Sequence, residues 1–195
     1  MLSTIRPAIA MVALFTLLTG VAYPMAVTGV AQALFRSTAD GGMIRDAAGQ
    51  VIGAQLIGQD FAKPQYLHPR PSNAGTGYDG SSSAGTNMGP LNPKLSERMT
   101  TDAAAIRKDA PGASIPADAV TTSGSGLDPD ISPAYAHLQA PRIAAARRAP
   151  PADVDALITA KTVGALLGFI GQPHVNVLQL NRALDARFPV GHPAG

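Results

Sequence analysis

Two carboxylates on either side of a proline are the first residues in this sequence whose types and spacing could do chemistry. Asp128 and Asp130 flank Pro129. Carboxylate oxygens of this kind could hold a cation, and their charge could steer one electrostatically. Asp-Pro sequences are also common in turns, so a structural role is the alternative.

A glycine-rich stretch, SGSGLDPD, contains these carboxylates. Gly124 and Gly126 resemble a phosphate-cradling loop, but no lysine followed by serine or threonine stands at P-loop spacing. The serines of the stretch have no histidine beside them in sequence, so a serine nucleophile would need a base brought close by the fold. We expect a turn here rather than a catalytic loop.

The remaining signatures of chemistry are incomplete. The segment AKTVG superficially resembles the phosphorylation sequence of P-type ATPases, but Ala160 stands where the phosphorylated aspartate is required. The four histidines are scattered, and no two have the spacing that places both imidazoles on one helix face for zinc. The chain has no cysteine, which excludes disulfides and thiolate sites. Its 15 basic and 13 acidic residues leave no basic footprint for nucleic acid.

An uncharged stretch of 29 residues lies between Arg6 and Arg36. A helix crosses the hydrocarbon core of a bilayer with about 20 apolar residues, and residues 8–31 supply them. In a bundle of membrane helices, neighbouring helices accommodate prolines and make close contacts at glycines. We therefore predict a membrane span that packs against partner helices at three positions, Gly20, Pro24 and Gly29.

A cleaved signal peptide is the main alternative for this stretch. The hydrophobic part of a signal peptide measures only about 7 to 15 residues. The letters AQA at residues 31–33 nevertheless resemble a cleavage site, which would leave a mature chain starting near Leu34. A buried helix of a soluble protein is the third interpretation, but such helices seldom stay uncharged over this length.

The rest of the chain predicts a mixed domain in which helices outnumber strands. The segment MIRDAAGQVIGAQLIGQDF indicates one or two strands. Helices are expected after the caps Asn92 and Ser132, with Pro141 kinking or restarting the second of them. A third helix is expected over residues 153–169, and a short strand at residues 175–177 leads into a last helix. The predicted fold class is α/β or α+β, with about 160 residues and long ordered loops.

The run RPSNAGTGYDGSSSAGTNMGPLNP, residues 70–93, consists almost entirely of residues that favour turns. Such a composition usually marks a loop or disorder, because it buries little apolar surface against the entropy of ordering. Arg70, Tyr78 and Asp79 are the exceptions, and the question is whether they hold the run in one conformation.

Several segments are more telling together than any one motif. In chain order they are IRPAI, LLTGVAYP, LIGQDF, RPSNAGTGYD, GTNMGPLNPKL, VTTSGSGLDPDISP, QAPRIAAAR and GQPHVNVLQLNRALD. Over about residues 5–187 this sequence resembles the C subunit of the Kdp-type potassium-transporting ATPase. The resemblance implies that the turn-rich run is folded, with Arg70, Tyr78 and Asp79 holding it through hydrogen bonds and aromatic burial.

The resemblance implies a non-catalytic accessory subunit of a bacterial inner-membrane pump that takes up potassium at the expense of ATP. Its partners would be a channel-like A subunit, a P-type B subunit that hydrolyses ATP and a small F subunit, with no nucleic acid. Residues 1–7 would lie in the cytoplasm and residues 8–31 would cross the membrane once. Residues 36–188 would form an extracytoplasmic domain, followed by a tail at residues 189–195.

The family is also ascribed a catalytic-chaperone role that raises the ATP affinity of the B subunit. No cofactor would be bound stably, and ATP would be met only through the complex. If a nucleotide contacts this chain, the first positions to inspect are Ser123, Ser125, Gln139 and Arg142. Acidic groups of the external loops would steer potassium toward its entrance, and the candidates are Asp79, Asp128 and Asp130.

Two functions of other classes stay open on the residues alone. One is a membrane-anchored extracytoplasmic hydrolase that uses a loop serine. The other is a cleaved, secreted binding protein.

Overall fold

A computed structural model describes residues 2–46 and 48–190 of the chain. Two compact units follow each other in sequence, Met1–Ala54 and Gln55–Gly195. Each unit has its own elements and is described by itself.

A long apolar helical segment dominates the first unit. Helix α1 (Leu2–Leu17) continues through a π-helical turn (Leu18–Ala22) into helix α2 (Tyr23–Leu34). The wide turn precedes Pro24, whose ring would collide with a carbonyl one turn earlier and which lacks an N–H to donate. Over Ser3–Leu34 the described residues contain one helix that is long and apolar enough to cross a membrane, with a mean hydropathy of 1.9.

A short helix and a hairpin complete the first unit. Helix α3 (Arg36–Ala39) is followed by strands β1 (Met43–Arg45) and β2 (Val51–Ala54), which pair antiparallel with Met43 opposite Ala54. The Asp46 carboxylate accepts hydrogen bonds from the N–H groups of Ala48 and Gln50 and so closes the turn. The strands predicted in this part of the sequence are confirmed.

The described residues of the second unit form four helices and two short strands. In chain order they are α4 (Pro93–Asp109), β3 (Asp130–Ile131), α5 (Pro133–Arg147), α6 (Pro151–Lys161), β4 (Val175–Asn176) and α7 (Val177–Arg187), with a 3-10 turn at Ala117–Ala119 before β3. The predicted caps are confirmed, because Asn92 accepts from the N–H of Lys94 and Ser132 from that of Tyr135. Helix α5 runs unbroken through Pro141. Because proline has no N–H, one carbonyl in the preceding turn lacks its helical partner. Pro141 is exposed, so water can hydrogen-bond to that carbonyl.

The hydrophobic core lies where α5, α6 and α7 pack together. Ile143, Ile158, Leu180 and Leu184 are completely buried there. Strand β3 pairs antiparallel with β4, which places Ile131 opposite the buried Val175. The second unit is therefore mainly helical with a small two-stranded sheet, as the predicted mixture of helices and strands requires.

The helix predicted over residues 153–169 is too long, because α6 ends at Lys161. Val163 pairs instead with His174, and Leu166 with Ile170, as in an antiparallel hairpin. Leu167 and Gly168 turn the chain with positive φ angles of 54° and 82°. Glycine at this turn favours the hairpin and disfavours a helix. We call residues 163–174 the apolar hairpin.

Candidate functional site

The turn-rich run folds against the glycine-rich stretch, residues 123–130, and the two threonines before it. Arg70 makes the longest-range contacts: its Nη1 donates to Oδ2 of Asp128 at 2.9 Å, and its Nε and Nη2 donate to the carbonyls of Thr121 and Thr122. The backbone of Ala84 donates to the Ser125 carbonyl at 2.9 Å. One cation therefore ties two irregular segments together.

Tyr78 fixes the same run from within. Its hydroxyl donates to the Arg70 carbonyl at 2.8 Å, and its N–H donates to Oγ of Ser72 at 2.9 Å. The Ser72 hydroxyl in turn donates to the carbonyl of Gly126 at 2.6 Å. Burial raises the pKa of Tyr78 above its ordinary value, and the Asp60 carboxylate adds to the rise. The phenol therefore remains a neutral donor at physiological pH.

Asp79 acts locally. Its Oδ1 accepts from both the N–H and the hydroxyl of Ser81, and these bonds lower the pKa of the carboxyl. Asp79 caps a turn of the run.

Asp128 and Asp130 line one cavity of about 310 Å³ together with Asp118, Arg70 and His174. We call it the acidic cavity. Asp79, the third residue predicted to steer cations, is not among its lining residues. Asp118 is not among the residues predicted from the sequence, and its carboxylate accepts from both the N–H and the hydroxyl of Ser132. A spacing of 14 residues between the two carries no local signal.

The charge of the acidic cavity is partly neutralised. Arg70 pairs with Asp128, while Asp130 accepts from Nδ2 of Asn176 at 2.9 Å and lies 3.8 Å from Nε2 of His174. Among the described residues, no group of three or more His, Asp or Glu side chains could hold a metal ion. The cavity can attract cations electrostatically without providing a metal site.

Gln139 is 6% exposed, and both ends of its amide are engaged. Its Oε1 accepts from the N–H of His68 and its Nε2 donates to the His68 carbonyl. Arg142 donates to the carbonyls of Pro64 and Tyr66 and to Gln139. Burial lowers the pKa of the guanidinium, while Asp109 favours its charged form. These two residues of α5 therefore hold the irregular segment 64–68 in place through hydrogen bonds to its backbone.

The four positions named for nucleotide contact do not line one pocket. Gln139 and Arg142 line a cavity of about 50 Å³, whereas small-molecule pockets usually measure about 300–1,000 Å³. The hydroxyls of Ser123 and Ser125 lie 3.3 Å from each other in the glycine-rich stretch. Ser125 is exposed, and its Oγ also accepts from the N–H of Leu127 at 3.1 Å.

The small residues of the apolar helix leave room on its surface. A Cβ atom at Gly20 would meet only a methyl group of Thr16 at 4.0 Å, and one at Gly29 would meet nothing within 4 Å. Pro24 lies in the first turn of α2. Within the chain itself, packing therefore does not require glycine at either position.

The apolar hairpin is a second exposed surface, at a place where the sequence predicts a continuing helix. It contains no charged residue from Val163 to Pro173. Leu167 is 76% exposed and Phe169 77% exposed, and Val163, Leu166 and Ile170 are also exposed. Apolar side chains clustered at a loop tip are typical of a contact surface.

Comparison with known proteins places these features in a family. Residues 5–186 match the family described as "K+-transporting ATPase, c chain". The chain is 66% identical to the potassium-transporting ATPase KdpC subunit of Caulobacter vibrioides strain NA1000, over 97% of this chain and 96% of that protein. It is 57% identical to the KdpC subunit of Beijerinckia indica, over 99% and 98%, and 50% identical to that of Rhodospirillum rubrum, over 98% and 100%. This chain belongs to the KdpC family, the c chain of the K+-transporting ATPase.

Proposed function

We propose that this chain is a non-catalytic accessory subunit that assembles and stabilises an ATP-driven potassium uptake pump of the bacterial inner membrane. The apolar helix carries this proposal. It is long enough to cross a bilayer, and none of its most apolar stretch is buried against the rest of the chain. The curated relatives are named as subunits of a potassium-transporting ATPase. A helix in that state needs lipid or other helices around it.

The helix docks, in this proposal, against the channel-like A subunit. Gly20 and Gly29 each leave open space in which another backbone can approach closely, and Pro24 follows the π-helical turn between them. The P-type B subunit and the small F subunit complete the complex. The amino terminus lies in the cytoplasm and the second unit outside, as the family resemblance implies.

The apolar hairpin provides a second contact with the same complex. Its exposed leucine and phenylalanine side chains suit an apolar surface on the external side of another subunit. Burial of such side chains contributes about 1.5–3 kcal/mol each. Two separated contacts bind more tightly than one because the first raises the effective concentration of the second.

The acidic cavity supports a role in steering potassium toward the pump. Asp118 and Asp130 leave its described lining with more negative than positive charge, because Arg70 is paired with Asp128. Asp79, which is exposed, adds negative charge elsewhere on the unit. Such a field raises the local concentration of cations, and salt screens it.

The catalytic-chaperone role belongs to the proposal as well. Gln139 and Arg142 are engaged by the segment 64–68, so the serines at 123 and 125 are the better nucleotide-contact candidates. We favour an effect on ATP affinity that is transmitted through contacts with the B subunit.

The hydrolase alternative has no support from a serine–histidine pair among the described residues. The described hydrogen bonds of His68, His137 and His174 go to groups other than serine hydroxyls.

Potassium-stimulated ATP hydrolysis tests the function. Membranes that contain the other subunits should be assayed over a range of ATP concentrations, with and without this chain. Omission should lower the recovery of active pump and raise the KM for ATP. Full activity with an unchanged KM would overturn the proposal.

A further inference from the structure

A cleft of about 340 Å³ lies between α4, the loop before Arg70 and the start of α5. Its lining includes two carboxylates, the rings of one phenylalanine and two tyrosines, and one imidazole, namely Asp60, Asp102, Phe61, Tyr78, Tyr135 and His68. We call it the aromatic cleft. It is distinct from the acidic cavity, with which it shares no lining residue.

We propose that the aromatic cleft binds a lysine or arginine side chain presented by another chain of the pump. This inference rests on the proposed function, because it needs a partner chain. The argument for this occupant is charge complementarity combined with the shape and chemistry of the walls.

The lining of the cleft carries more negative than positive charge. The residues that line it include Asp60 and Asp102 but neither lysine nor arginine. Within the described part of the chain, neither carboxylate has a recorded ion pair, whereas Asp109, Asp128 and Asp185 each pair with an arginine. Both carboxylates are therefore available to a cation that arrives from outside.

The field of these carboxylates reaches the phenols of the cleft. Burial raises the pKa of Tyr135 to about 12, with Arg142 opposing the rise and Asp118 and Asp102 adding to it. Asp60 acts in the same direction on Tyr78. Arg142 is not a lining residue of the cleft; it lines the neighbouring cavity of about 50 Å³, where Asp109 and backbone carbonyls accept from its donors.

The walls favour an amphipathic cation over a bare ion. Carbon surface from Ile106 and two prolines, together with the phenylalanine and tyrosine rings, suits the methylene stem of a lysine or arginine. Aromatic faces also attract the charged head through cation–π contacts. A potassium ion would require a shell of oxygen ligands, and this cleft offers few oxygen-bearing side chains among mostly carbon walls.

Titration calorimetry on the full-length chain in detergent micelles tests the assignment directly. The probe is N-acetyl-arginine amide, and its matched control is N-acetyl-citrulline amide, which has the same shape without the charge. We expect millimolar binding of the arginine compound alone, weakened when salt rises from about 0.05 M to about 0.5 M. Equal binding of the two probes, or binding of neither, would overturn the assignment.

Variants locate the binding. Asp60→Asn and Asp102→Asn should each weaken binding by about 1.5- to 5-fold, the range expected for a partly exposed ion pair. Glu97→Gln removes one charge from the exposed face of the same helix α4 and should leave binding unchanged. Thermal unfolding of each variant shows that it folds. Equal weakening by the control would contradict the assignment.

A second arm separates the cleft from the proposed function. The double variant Asp60→Lys/Asp102→Lys should reduce co-purification of the other pump subunits, because like charges then meet at the contact. If the double variant still recovers the other pump subunits in full while the wild-type chain binds the arginine probe in micelles, the occupant of the cleft is not another chain of the pump. That result would leave the accessory function intact, whereas failure of the wild-type chain to bind any pump subunit would overturn the function itself.

Discussion

Asn181 hydrogen-bonds both the N–H and the carbonyl of Leu67, although 114 positions separate the two residues in sequence. Its Oδ1 accepts from the Leu67 N–H at 2.7 Å and its Nδ2 donates to the Leu67 carbonyl at 3.0 Å. Gln139 does the same for the adjacent His68. Two buried amides thus replace the strand partner that the irregular segment 64–68 lacks, and they satisfy buried backbone groups that would otherwise cost free energy.

Removal of the two Asn181–Leu67 hydrogen bonds should destabilise the chain. Asn181→Ala leaves two buried backbone groups of Leu67 without partners, so we expect the free energy of unfolding to fall by about 3 kcal/mol. Gln172→Ala, at an exposed amide, should change it by less than about 0.5 kcal/mol. Chemical denaturation in mild detergent, followed by circular dichroism, measures both. Equal stability of the two variants would contradict a structural role for Asn181.

Gly126 should tolerate no side chain. Its φ is +69°, and an added Cβ would lie 2.6 Å from the Ala84 carbonyl oxygen and 2.8 Å from the Ala74 nitrogen. We expect Gly126→Ala to destabilise the chain by at least about 2 kcal/mol and to speed proteolysis within residues 70–93. Gly124→Ala is the matched control two residues away, since its Cβ would meet nothing within 4 Å. Unchanged cleavage rates in Gly126→Ala would show that the two loops are not interlocked.

The apolar hairpin should matter for assembly and not for folding. Leu167→Asn suits the left-handed backbone at that position and removes an exposed apolar side chain. Together with Phe169→Ser it should lower co-purification of the other subunits while the thermal midpoint of the chain alone stays the same. Leu91→Asn, at a position 95% exposed on another loop, is the control. If the double variant recovers the other subunits as fully as the wild type does, the hairpin is not part of the docking surface.

His68 should make stability depend on pH. Burial lowers its pKa below 6.5, with Arg142 acting in the same direction. The unfolded chain therefore takes up a proton on His68 before the folded chain does, so stability is full above the unfolded pKa and falls as pH drops toward the folded pKa. Unfolding measured between about pH 7.5 and about pH 5 should show a shallower fall for His68→Gln than for the wild type. His137→Gln should retain the His68 contribution to the fall. Parallel profiles for His68→Gln and the wild type would contradict the assignment.

Local signals in the sequence predicted the parts of the fold that depend on neighbouring residues. Asn92 and Ser132, each followed by proline, mark helix starts because capping involves only the next few residues. The end of α6 at Lys161 was missed because apolar residues at helical spacing also fit a hairpin tip, and only the pairing of Val163 with His174 decides between them. The partners of Asn181 and Gln139 depend on contacts across the whole unit, which no local pattern records. Arg70 and Tyr78 were predicted to hold the turn-rich run, but their acceptors were not.

Affinity purification of this chain from its native membranes in mild detergent tests the central claim most directly. The tag belongs at the carboxyl end, so that intact mass also reports the amino terminus. We predict that the chain keeps its apolar helix and is accompanied by the other subunits of a potassium-transporting ATPase. A chain recovered alone, freely soluble and starting near Leu34 would contradict the account.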